Sequence, residues 1–212
     1  MKKIYLLAAV FTAAIYQSCT EKDNTIDQVF DGVESGAVLR TIEIISGEIP
    51  LGVEGAGFTA LIEEQDAQDG DLLESVDVFV AFNDQTPENG DSSAAEAQVT
   101  TIGREAFQDG EFGLPRTTVD VPLTAMLSAL GLEQSDLFGG DSFVVRLAVN
   151  LTDGRTYSVD NAGGIITGGF FNSPFQYNAT VICPVPETYL VGNYLIEEIT
   201  PYVDGPTFED GA

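Results

Sequence analysis

The stretch from Phe143 to Leu151 narrows most what this chain can fold into, because Phe143, Val145, Leu147, Val149 and Leu151 recur at every second position. Arg146 and Asn150 fall on the opposite face. A two-residue period turns one side of a strand to a core and the other to solvent, whereas a helix would scatter the same residues around its circumference. Asp153-Gly154 closes the stretch and Arg155 to Val159 begins a return, which is a hairpin signal. The period recurs in Val76, Val78, Val80 and Phe82, with Asp77 and Ala81 on the other face. It recurs again in Thr117, Val119 and Val121, and in Phe175, Tyr177, Ala179 and Val181.

Val38 to Ile45, Phe58 to Ile62 and Gln98 to Ile102 add three β-branched or aromatic runs, for seven strands in all. The run Phe58 to Ile62 ends in the acidic stretch Glu63 to Asp71, and the polar run Asn83 to Glu96 and the Gly-rich run Asn161 to Gly169 read as loops and turns. Only Pro122 to Leu130 has helical spacing, through Leu123, Met126, Leu127 and Leu130, with Gly131 as the stop. A doubly wound α/β sheet needs a helix between successive strands, and this chain supplies one helix in total. The pattern predicts an all-β fold: an antiparallel β-sandwich of immunoglobulin-like size with one short helix, over residues 37–183.

The ends differ from this body. Met1-Lys2-Lys3 followed by the apolar run Ile4 to Ile15 is laid out as a secretory signal peptide, and a dozen apolar residues fall short of the roughly 20 a spanning helix needs. Residues 1–18 are therefore expected to be removed, and residues 19–36 to form a flexible acidic tether. Pro184-Val185-Pro186 opens the segment 184–212, a stiff linker followed by the strand-like Thr188 to Thr200. The 25 residues after Glu187 are too few to bury a core of their own. Either they pack on the sandwich or they open a second β domain that continues beyond Ala212, and the second is the expectation.

Charge and composition exclude several functions. The chain carries 34 Asp and Glu against 8 Lys and Arg, a formal net charge of −26. Loss of Lys2 and Lys3 with the signal peptide leaves 6 − 34 = −28. Nucleic acid is not an expected partner, since phosphate contacts need clustered Lys and Arg. The absence of histidine removes Ser-His-Asp and Cys-His catalysis and His-based zinc sites. Adjacent acids such as Glu63-Glu64, Glu197-Glu198 and Asp69/Asp71 do not amount to two carboxyls facing across a sugar. No catalytic residue and no enzymatic activity are expected. Cys183, at the end of the last apolar run, is expected to be a buried, unreactive thiol.

Two candidate sites remain. Asp66, Asp69 and Asp71 place three carboxylates in one turn-prone loop, a candidate calcium site without the register of an EF-hand, and Asn89-Gly90-Asp91 is a weaker second. Phe170, Phe171 and Asn172 follow the Gly-rich turn, with Tyr157 and Tyr177 expected nearby. They form the best aromatic and polar cluster for stacking on a sugar in a chain without tryptophan.

Ser18-Cys19, a small residue and a cysteine directly after the apolar run, resembles the lipobox of bacterial lipoproteins. That resemblance implies cleavage before Cys19 and acylation of Cys19. The acidic Thr20-Glu21-Lys22-Asp23-Asn24 resembles the surface-export signals of Bacteroidota lipoproteins. Gly140-Asp141-Ser142-Phe143, Leu151 to Ser158, Tyr177 to Pro184 and Thr188 to Tyr194 complete the likeness. The chain resembles the β-sandwich lipoproteins encoded beside SusC/SusD-like uptake pairs. The resemblance implies a lipid-anchored protein of the outer membrane, facing the cell exterior and accessory to nutrient capture, usually of glycans. A structural spacer presenting a C-terminal binding domain is the alternative, and a carboxylate-based hydrolase the third.

Overall fold

The computed structural model describes residues 36–185, Tyr189 and residues 191–193. The strands in chain order are β1 (Val38–Ser46), β2 (Glu48–Pro50), β3 (Gly57–Gln65), β4 (Leu73–Asn83), β5 (Ala94–Gly103), β6 (Gln108–Asp109), β7 (Pro115–Pro122), β8 (Ser142–Leu151), β9 (Thr156–Tyr157) and β10 (Gln176–Ile182). Helix α1 (Leu123–Leu130) joins β7 to β8, and the single turn α2 (Gly164–Thr167) lies between β9 and β10.

The strands form two sheets, ordered β1-β3-β7-β6 and β2-β10-β8-β4-β5, with β9 paired to β8. The first is the A-B-E-D order of an immunoglobulin sandwich, and β10-β8-β4 is its G-F-C order with β5 added at the edge. The all-β sandwich expected from the periodicity is the fold. Its pairs are antiparallel except one: β2 runs parallel to β10, Thr180 opposite Glu48 and Ile182 opposite Pro50. The chain leaves the first sheet at Gly47, whose carbonyl accepts from Thr180 N, and crosses to the second.

The residues named by alternation fill the space between the sheets. Phe58, Ala60 and Ile62 of β3 and Val119 and Val121 of β7 are buried on one side. Val76, Val78, Val80 and Phe82 of β4 and Phe143, Val145, Leu147, Val149 and Leu151 of β8 are buried on the other. Phe82 and Phe143 lie 4.9 Å apart between ring centroids, and Phe58 lies 5.0 Å from Tyr177. Tyr177 is buried, and its hydroxyl shares a 2.7 Å hydrogen bond with Thr41 Oγ1. Burial raises its pKa, opposed by that bond. Helix α1 buries Leu123 and Met126 and stops at Gly131, whose φ of 69° lets its N–H bond Leu127 O.

Three expectations need correcting. Strand β3 continues through Glu63 and Glu64 to Gln65, past the Ile62 at which the sequence pattern ends it, because the neighbouring strands supply arginines for Glu63. Strand β5 begins at Ala94, inside the polar run read as loop up to Glu96. Cys183 is exposed, not buried, because β10 ends at Ile182 and the inward alternation stops with it. Cys19 and most of the expected second domain lie outside the described residues, and Tyr189 and residues 191–193 are exposed.

Candidate functional site

Three connections gather at one end of the sandwich: β3 to β4 (66–72), β6 to β7 (110–114) and β8 to β9 (152–155). Thr152 N donates to Leu72 O at 2.8 Å, tying the first to the third. Gly70 packs against Pro115, tying the first to the second: a Cβ there would sit 2.2 Å from Pro115 Cδ, and φ is +92°. Only glycine fits both conditions.

The structure uses the calcium candidates Asp66, Asp69 and Asp71 unequally. Asp66 is buried and caps the loop from within: Oδ1 accepts from Gln68 N (2.6 Å) and Gly70 N (3.1 Å), and Oδ2 from Leu72 N (2.9 Å). Asp69 and Asp71 point to solvent, Asp69 with φ of 55°. Among the described residues no three His, Cys, Asp or Glu side chains converge as a metal cluster. Asp91, in the second candidate loop, accepts from Ser93 N at 3.0 Å.

Beneath the first loop lies a residue that sequence reasoning set aside. Glu64 occupies the last inward position of β3, after Phe58, Ala60 and Ile62, and is 0% exposed. Among the described residues neither of its carboxylate oxygens has a hydrogen-bond partner. Burial, reinforced by the charge of Asp66 and opposed by Arg104, pushes its pKa from 4.5 up to about 8. Glu63, one residue earlier, faces outward but is covered by its partners. It accepts from Arg40 Nη1 at 3.0 Å and from Arg116 Nη2 at 2.7 Å.

The aromatic candidates separate. Phe170 is 88% exposed and meets Phe171 edge to face with centroids 4.9 Å apart. Asn172 instead closes the side of the sandwich, its Nδ2 donating to Thr41 O and its carbonyl accepting from Thr41 N. Tyr157 is half-buried on β9, and its hydroxyl accepts from Arg155 Nη1 at 3.1 Å. Hydrogen bonds from that arginine hold Asp153 below the usual carboxylate range. The Phe170 and Phe171 rings thus stay together, while Asn172 and Tyr157 are committed elsewhere.

A cleft of about 530 Å³ that no motif announced opens on the outer face of the first sheet. Leu61, Gln108, Asp109, Glu111, Arg116 and Thr118 line it. Its guanidinium, carboxylate, amide and hydroxyl groups form a hydrogen-bonding set suited to a polyhydroxylated molecule. These residues come from three separate stretches that only sheet pairing brings together, so no spacing marks them. No protein-family model matches the chain, and no curated protein matches it.

Proposed function

We propose that this chain is a non-enzymatic, lipid-anchored outer-membrane protein facing the cell exterior, whose sandwich holds the residues after Pro184 away from the membrane as an accessory to nutrient, chiefly glycan, capture. The observation that carries the reading is the path of the chain. It enters at Ala37, beside the end where Val38 pairs with Gln65, and leaves at Ile182, beside Pro50 at the other end. Ten-residue strands at about 3.3 Å per residue separate those ends by roughly 30 Å. A domain threaded from one end to the other spaces what it connects. A cleft of about 290 Å³ lined by Val53, Ala56, Leu123 and Leu127 supports the reading, because it offers apolar surface at the exit end.

The test is energy transfer from a fluorophore at the C-terminus to a dye in the lipid, in whole protein reconstituted through Cys19. Deleting residues 37–183 should raise transfer strongly. Equal transfer with and without the sandwich would end the spacer reading. Direct glycan binding is the second reading, favoured by the polar cleft around Arg116. Micromolar binding of a polysaccharide, lost in Arg116→Ala, would establish it.

A further inference from the structure

We propose that Glu64 and the Asp66–Asp71 loop form a calcium site, in which the buried carboxylate of Glu64 is the innermost ligand. The inference does not depend on the spacer reading. A loop of acids is ordinarily a solvated turn, and two exposed aspartates beside a loop-capping third would carry no such conclusion. The orphaned group beneath the loop changes that. Glu64 is fully buried, and both its oxygens lack partners among the described residues. A buried carboxyl leaves donor or acceptor capacity unmet in either protonation state, and such groups in native proteins are answered by a water or an ion.

The carboxylate is aimed at the loop: Glu64 Oε2 lies 3.3 Å from where a Gly70 Cβ would stand. The Pro115 ring fills that place, 2.2 Å from the Cβ position, so the Glu64 carboxylate lies directly beneath the contact that closes the loop. Asp66 adds a second buried carboxylate on the same side, oriented by the three N–H groups of Gln68, Gly70 and Leu72. Each of its oxygens keeps lone-pair capacity beyond those bonds. Among the described residues the cation whose charge acts on Glu64 is Arg104, and its Nη1 donates to Phe107 O at 3.3 Å. The site therefore offers two buried carboxylates, with Asp69 and Asp71 exposed on the same loop and no soft ligand among the described residues. Oxygen-only donors of this kind select a hard cation, and loop carbonyls and water complete the larger, irregular shell that calcium tolerates and magnesium does not. Affinity in the range of extracellular modules, about 10⁻⁴–10⁻³ M, fits two carboxylates.

The test is thermal unfolding of the full chain, made soluble by Cys19→Ala, in calcium chloride, magnesium chloride and EDTA at matched ionic strength. A protein this acidic gains stability from any divalent ion by screening, so the quantity that counts is the excess of calcium over magnesium. Calcium should raise the midpoint by several degrees more than magnesium, and Glu64→Gln, which preserves shape, should remove that excess. No excess in the wild type, or the same excess in Glu64→Gln, overturns the proposal. Should Glu64→Gln fail to fold, hydrogen exchange of the wild type decides. Calcium, unlike magnesium, must slow exchange at Gln68, Gly70 and Leu72, and unchanged exchange there overturns it equally.

Discussion

Glu63 and Arg116 stand directly opposite each other across the β3–β7 ladder, and the Arg116 Nη2 donates to Glu63 Oε2 at 2.7 Å. On its other flank Glu63 stands opposite Arg40 in the β1–β3 register, at 3.0 Å. One carboxylate with 1% of its side chain exposed thus joins three adjacent strands. An acid in the middle of a sheet face is tolerated because cross-strand neighbours neutralise it. Removing it leaves two guanidinium groups facing each other.

Glu63→Ala should therefore destabilise the sandwich by about 2–3 kcal/mol, a figure reduced from fully buried pairs because both arginines are partly exposed. Arg40→Ala should cost less, since Arg116 still donates two N–H groups to Glu63 Oε2. Urea denaturation checks the order, and an Arg40→Ala loss exceeding that of Glu63→Ala would contradict it.

Glu64 should make stability fall toward alkaline pH in calcium-free buffer. Its folded-state pKa of about 8 lies above the ordinary 4.5. Below pH 4.5 both folded and unfolded chains hold the proton and nothing is lost. Between 4.5 and 8 the unfolded chain ionises first, so stability declines, and above 8 the full penalty applies, on the order of a few kcal/mol. Glu64→Gln should flatten this part of the profile and be more stable than wild type at pH 9. Unchanged slopes between pH 5 and 8 in the two proteins would show that Glu64 does not carry the effect.

The register of β8 is tested by neighbouring substitutions. Val145 is fully buried, so Val145→Asp should place an unpaired carboxylate in the core and cost several kcal/mol. Arg146 faces outward, stacked 4.2 Å above the Phe79 ring, with its Nε donating to Glu96 at 2.7 Å. Arg146→Ala should cost about 1–2 kcal/mol through that lost packing and pairing. Chemical denaturation giving equal losses at both positions would contradict the register.

Anchoring rests on Cys19. Cys19→Ala should abolish labelling by a fatty-acid analogue and move the protein from the membrane fraction to the soluble one. Continued membrane association of the variant would remove the lipid anchor from the proposed function.

The sequence by itself determined which residues of the main strands are buried, because a period of two is a local property that needs only neighbours along the chain. Val76 to Phe82 and Phe143 to Leu151 were legible for that reason, and so was α1, whose end needs only a glycine free to take the left-handed conformation at Gly131. Only the tertiary structure decided which strands lie side by side and that β2 runs parallel to β10. It also decided that Cys183 lies beyond the paired part of β10. Of the candidate site, the turn at Asp66–Asp71 was legible from its acids and glycine. The inward rotation of Asp66, the isolation of Glu64 and the Arg116 cleft were not. Glu63 and Glu64 show the reason: adjacent and chemically identical, they face opposite sides of one sheet. Glu63 meets arginines 23 and 53 residues away. The Glu64 carboxylate meets no hydrogen-bond partner among the described residues. Their difference arises from cross-strand register, which the packing of the whole sandwich sets.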